Sequence, residues 1–264
     1  MVVFREALEA SLILGIILTV LSKLGAMRYA SHVFAGVLAA LGLSLGLAQW
    51  LSSLTESAQK GTAPVIEGMI SLIAWGVLTY MFFWMEKQAR YLKSDIETKM
   101  EIALSARDYF AIVSLPFFSV LREGAETVLF LKAVSIQSGG PASWTGGAAG
   151  CALAVIITVL MFIGGKRFPV RSLFRWTGVF IIFLAAGLLG YGLHELGEVG
   201  WVPVGIENLY DMNSVLNEKK GVGSFLKALF GYNGNPSFTE TLMYWVYLVS
   251  MLYFAFRKKI AQTS

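Results

Sequence analysis

Cysteine is almost missing from this chain. Cys151 is the only one among 264 residues, so no disulfide can form within the chain, and its apolar, small-residue surroundings read as a packing position. Charge is scarce as well: 14 % of residues are charged, where a soluble domain carries about 25 %. With 56 % hydrophobic residues and a mean hydropathy of +0.66, that shortage excludes an ordinary soluble fold. The opening, MVVFREALE, lacks the basic start of a secretory signal, so the first segment is expected to stay as a helix. The net charge of +4 does not call for nucleic acid, because surplus Lys and Arg in a membrane chain are usually topology signals.

What the chain does have is a succession of long apolar runs. They predict an all-α integral membrane protein with seven transmembrane helices, at about 2–23, 33–52, 64–86, 109–135, 145–165, 173–198 and 239–256. Basic residues distinguish the two sides. Lys23, Arg28, Lys87, Arg90, Lys93, Lys99, Arg107, Lys166, Arg167, Arg171, Arg175, Arg257, Lys258 and Lys259 fall on one side; Lys60, Lys219, Lys220 and Lys227 fall on the other. The positive-inside rule then puts the N-terminus outside, the C-terminus inside and the long 199–238 segment outside. Within that segment, FLKALFGY is apolar enough to lie on the membrane surface. Trp50, Trp75, Trp84, Trp201, Tyr210 and Trp245 read as interface anchors and packing residues.

Against this background two short charged stretches stand out. FREALEASLI at 4–13 and LREGAETVLF at 121–130 share the pattern R-E-x-x-E, on spans one and four. Spans two and five share close-set small residues, Gly42-x-x-x-Gly46 in one and Gly146 to Gly150 in the other, a spacing that lets helix backbones approach. The chain therefore divides into a three-helix repeat at 1–86, a charged cytoplasmic linker at 87–108 and a second repeat at 109–198. An extracytoplasmic loop at 199–238 and a seventh helix with a basic tail at 239–264 follow. Three spans per repeat invert the second copy relative to the first, as in many transporters.

On a helix, residues three and four apart share a face. Glu6 and Glu9 thus point the same way with Arg5 beside Glu9, and Arg122, Glu123 and Glu126 repeat the geometry. At a rise of about 1.5 Å per residue, both cassettes lie roughly 20 Å from the cytoplasmic edge, so the two can meet. Charges at that depth cost several kcal/mol unless compensated. Four acids against two arginines leave a net charge of −2, which a multivalent cation would complete, and carboxylate oxygens suit hard cations. Simple helix-locking would need only one acid per arginine. A proton relay without metal is a further alternative. A di-metal oxidase would need Glu-x-x-His spacing, and none occurs in these spans. Other acids extend the picture: Glu67 near the outer end of span three, Glu86 at its inner end, and His194, Glu195 and Glu198 at the outer end of span six, where His194 and Glu198 are four apart.

At these residues the chain resembles the oxidase-dependent iron transporter family, which groups the fungal high-affinity iron permease with bacterial EfeU-type ferrous iron permeases. The likeness includes EGMISLIAWGVLTYMFFWMEKQAR, GYGLHELGEVGWVP and FLKALFGYNGNPS. It implies an iron permease of the cytoplasmic membrane rather than an enzyme, with iron (Fe2+ or Fe3+) as substrate and no organic cofactor. Glu6, Glu9, Glu123 and Glu126 would hold the metal, with Arg5 and Arg122 as their charge partners, and Glu67 would match an acid of the entry path. A fungal outer-loop D-A-S-E motif corresponds to Asp211-Met212-Asn213-Ser214, which keeps the aspartate and lacks the glutamate. An extracytoplasmic oxidase or iron-binding protein is the implied partner, beside membrane lipid. A carrier of another divalent metal, manganese or zinc, would share the same architecture, because carboxylates alone do not select iron.

Overall fold

The computed structural model describes residues 1–58, 61–88, 92–140, 144–163, 170–218 and 221–260, and among these all regular structure is helical. The order is α1 (Val2–Lys23), a 3-10 turn (Met27–Tyr29), α2 (Ala30–Glu56), α3 (Ala63–Gln88), α4 (Leu92–Ser105) and α5 (Tyr109–Ser138). Then come α6 (Trp144–Ile163), α7 (Val170–Glu198), α8 (Gly221–Phe230) and α9 (Phe238–Ile260). Among the described residues, four stretches are long and apolar enough to cross a membrane: Met27–Glu56, Ala63–Trp84, Thr145–Phe162 and Trp176–Glu198. Helices α1 and α5 have the length but carry the cassette charges. Outward faces are apolar, with Leu38 and Leu45 of α2 and Leu160 of α6 each more than half exposed, as a helix facing lipid requires.

Local chemistry sets the helix ends. Arg107 takes a left-handed φ of 52° after α4, which turns the chain, and the Asp108 carboxylate caps α5 by accepting from Ala111 N at 3.0 Å. The chain forms two compact units.

The first unit comprises Met1–Ser52, Trp84–Leu131 and Ser143–Phe174. Its larger core joins Ile13, Ile17, Val20 and Leu21 of α1 to Tyr29, to Val33 of α2, to Ile96, Met100 and Ala103 of α4, and to Ile112 of α5. Helix α4 is therefore not solvated all round. Its charged composition hides a stripe at i, i+4 and i+7 that is buried against α1. A second cluster sets Phe4, Leu8 and Leu12 of α1 against Ala154 of α6, with Ser11 Oγ and Thr158 Oγ1 sharing a hydrogen bond at 2.9 Å. Gly150 gives α6 its close approach to Phe4. By contrast, a side chain added at Gly42 or Gly46 would meet nothing described, so that pair makes no helix contact among the described residues. Cys151 lies exposed on α6 rather than packed.

The second unit comprises Ser53–Phe83, Lys132–Ala142 and Arg175–Ser264. Ile182 and Ala186 of α7 pack on Leu248 and Met251 of α9, with Phe82 of α3 alongside. Thr79 of α3 shares a 2.7 Å hydrogen bond with Tyr247 of α9. Gly231 ends α8 at a φ of 67° and sits back to back with Gly187 of α7, where a Cβ on either residue would run into the other's backbone.

Candidate metal centre

The cassette on α1 is enclosed. Arg5 is 2 % exposed, and its guanidinium reaches Glu6 Oε1 through Nη1 and Glu9 Oε1 through Nη2, each at 3.2 Å. The i+4 relation makes the second contact, and the adjacent residue supplies the first. Helix α5 repeats the arrangement less tightly. Arg122 donates from Nε to Glu123 Oε1 at 3.0 Å, with Nη2 on the same oxygen, and lies 3.8 Å from Glu126 Oε1. Its side chain is 39 % exposed and stacks over the Trp84 ring at 4.4 Å. Trp84, expected as an interface anchor, therefore braces the second arginine of the site.

The two cassettes meet within the first unit. One carboxylate oxygen each from Glu6, Glu9 and Glu123 lies within 4.8 Å of the other two, and all three residues are buried. Glu126 stands outside this group of three. Glu6 Oε2, Glu123 Oε2 and Glu126 Oε2 are buried without a hydrogen-bond donor, and Glu9 Oε1 has only its ion-pair contact with Arg5. Carboxylate oxygens gathered with too few donors are the chemistry of a hard-cation site. Gly124 lets this site form: its α-carbon faces Ser44 of α2 so closely that an added Cβ would overlap the serine side chain.

The profile of the iron permease FTR1 family matches residues 1–260. A ferrous iron permease EfeU of Escherichia coli O6:H1 (strain CFT073) is 34 % identical over 254 residues, covering 96 % of this chain and 92 % of the relative. Another from Yersinia pestis is 32 % identical, covering 96 % and 90 %. The chain belongs to the iron permease FTR1 family. No solved structure matches it. The permease is accordingly a multi-pass protein of the cytoplasmic membrane, and its relatives are permeases rather than enzymes.

The remaining sequence-derived candidates of the permease lie in the second unit. Glu67 accepts from the Tyr191 hydroxyl at 3.0 Å, and Glu195 faces the same hydroxyl. His194 is held at both ring nitrogens, with Nδ1 at 2.9 Å from Glu240 Oε1 and Nε2 at 3.5 Å from Glu198 Oε1. Asp211 Oδ1 accepts from Asn213 N at 2.9 Å, an Asx turn on an exposed loop. The side chain of Glu86 lies outside the described residues. Sequence reasoning missed Glu240, which is buried and accepts from Ser237 N at 3.0 Å and Asn233 Nδ2 at 2.8 Å, while its own N–H donates to Ser237 Oγ. The signal was present: S-F-T-E at 237–240 is a capping box for α9.

Proposed function

We propose that the permease imports iron ions through the glutamates of its two R-E-x-x-E cassettes. The observation that carries this reading is the convergence of Glu6, Glu9 and Glu123 around oxygens that lack donors. Glu126, one turn along α5 from Glu123, takes the ion next. The four carboxylates and two guanidinium groups sum to −2, the charge that a ferrous ion cancels. The family is one of iron permeases, and the relatives' names specify ferrous iron.

The two arginines divide the work. Arg5 has no room to move and fixes Glu6 and Glu9 as a rigid half-site. Arg122, more exposed and resting on Trp84, swings from Glu123 as iron arrives, so that the ion replaces the guanidinium as the counter-charge. All seven long helices cross the membrane as an inverted pair of three-helix repeats plus α9, with the N-terminus outside. Consistent with that pairing, each repeat contributes its first two helices to the first unit and most of its third to the second. An extracytoplasmic oxidase or iron-binding protein delivers the ion. Uptake of radioactive iron by cells expressing wild type, Glu9→Ala or Glu123→Ala tests the site. Each variant should lose on the order of 10- to 100-fold in apparent affinity, since ligand charge count sets affinity at oxygen sites. Unchanged uptake in both variants would refute the assignment.

A further inference from the structure

A cavity of about 580 Å³ lies within the second unit, walled by the last turn of α5, the end of α7, residues 213–218 and residues 227–240. Several of its polar groups already have partners. Glu240 is satisfied by Ser237, Asn233 and His194. Lys227, the one lysine in the wall among the described residues, is paired with Glu218 at 3.2 Å. Three acceptors are left over. Gln137 is 2 % exposed, and its Oε1 has no donor. Asn235 Oδ1 is likewise without one. The third is the Glu195 carboxylate, one turn along α7 from Tyr191, whose hydroxyl donates to Glu67. One hydroxyl donates one hydrogen bond, so two carboxylates cannot both be served by it.

A buried amide oxygen without a donor costs about 1–3 kcal/mol, so two of them on one cavity wall call for a partner. An anion would meet lone pairs and a carboxylate, with the lysine already neutralised. The groups left unserved are acceptors, which a cation suits. Water occupies about 30 Å³ per molecule in the liquid, so the cavity has room for a metal ion together with a shell of water. From this we infer that the cavity is a second cation site, distinct from the cassette glutamates, where Gln137, Asn235 and Glu195 hold a hydrated divalent metal ion.

For iron as the occupant, the inference rests on the transport reading above. The cavity then serves as a vestibule that takes the ion with its water, before the cassette carboxylates strip that water away. Amide oxygens suit this stage, because they accept hydrogen bonds from metal-bound water without the tight hold of several carboxylates.

Anaerobic equilibrium dialysis of the full-length permease in nanodiscs against ferrous iron tests the inference. Wild type should bind two ions. Glu123→Ala should keep the vestibule ion, and adding Glu195→Gln with Gln137→Leu to that background should remove it. Gln137→Glu, which supplies a charge in place of the amide oxygen, should tighten the Glu123→Ala background roughly tenfold, a gain that no loss of packing can mimic. Iron binding in that background unmoved by either change would overturn the vestibule. So would a single bound ion that is lost in Glu123→Ala and kept in Glu195→Gln. The reverse pattern, one ion kept in Glu123→Ala and lost in Glu195→Gln, would support the vestibule while refuting the cassette site.

Discussion

Arg5 and Arg122 hold the same place in two copies of one cassette, yet their surroundings differ. Arg5 is enclosed with Glu6 and Glu9, whereas Arg122 reaches solvent-accessible space beside Trp84. Removing one member of an enclosed ion pair strands the other as an uncompensated charge and costs about 3–5 kcal/mol. Loss of Arg5 strands two enclosed carboxylates, whereas loss of the half-exposed Arg122 strands one, Glu123. Arg5→Leu should therefore lower the melting temperature of the purified permease far more than Arg122→Leu, which should chiefly impair transport. Equal losses in thermal unfolding would contradict the division of roles. The residues that sequence reasoning overlooked belong to this scale. Nothing in LKAVSIQS marks Gln137 as a buried amide, because a lone glutamine near a helix end looks like an ordinary polar residue. Trp84 reads from the sequence only as an interface or packing residue, since a tryptophan's partner across helices leaves no trace in its own segment.

Among the helices, α2 and α5 touch beside the metal centre, at Ser44 and Gly124. Gly124 follows Glu123, and an added Cβ would come within 2.9 Å of the Ser44 Cβ, too close for any rotamer to relieve. Overpacking of this kind costs about 1–3 kcal/mol and moves backbones apart. Gly124→Ala should reduce iron uptake although it alters no ligand, and Ser44→Gly in the same chain should restore it. Failure of the second substitution to rescue would mean that the glycine is not there for the α2–α5 spacing. The helices themselves were legible in the sequence, because runs of apolar residues bounded by charge leave little alternative. The buried face of α4 was not, since three apolar residues in a charged helix give a weak periodic signal. The tight glycines were only partly legible. Gly150 sits at a contact while Gly42 and Gly46 do not, and spacing alone cannot tell a helix partner from open surface.

At the scale of the whole molecule, the proposed orientation rests on where Lys and Arg concentrate. With exposed Cys151 first replaced by alanine, Asn213→Cys should react in intact cells with a membrane-impermeant maleimide. Ser105→Cys should react only after the membrane is opened. The opposite labelling pattern would overturn the orientation, and labelling of both positions from the same side would overturn the inverted arrangement of the two repeats. Pairing of the cassettes was legible at this scale because the repeat and the matched depth were written in residue numbers. Their unequal enclosure was not, since it depends on neighbours from other helices. The most direct measurement is a structure of the permease with iron soaked in, using anomalous scattering at the iron edge. A peak should lie among Glu6, Glu9 and Glu123, at about 2.0–2.6 Å from their carboxylate oxygens, a range for metal–oxygen contacts. Well-ordered carboxylates with no peak among them, in crystals that bind iron elsewhere, would contradict a cassette-glutamate pathway.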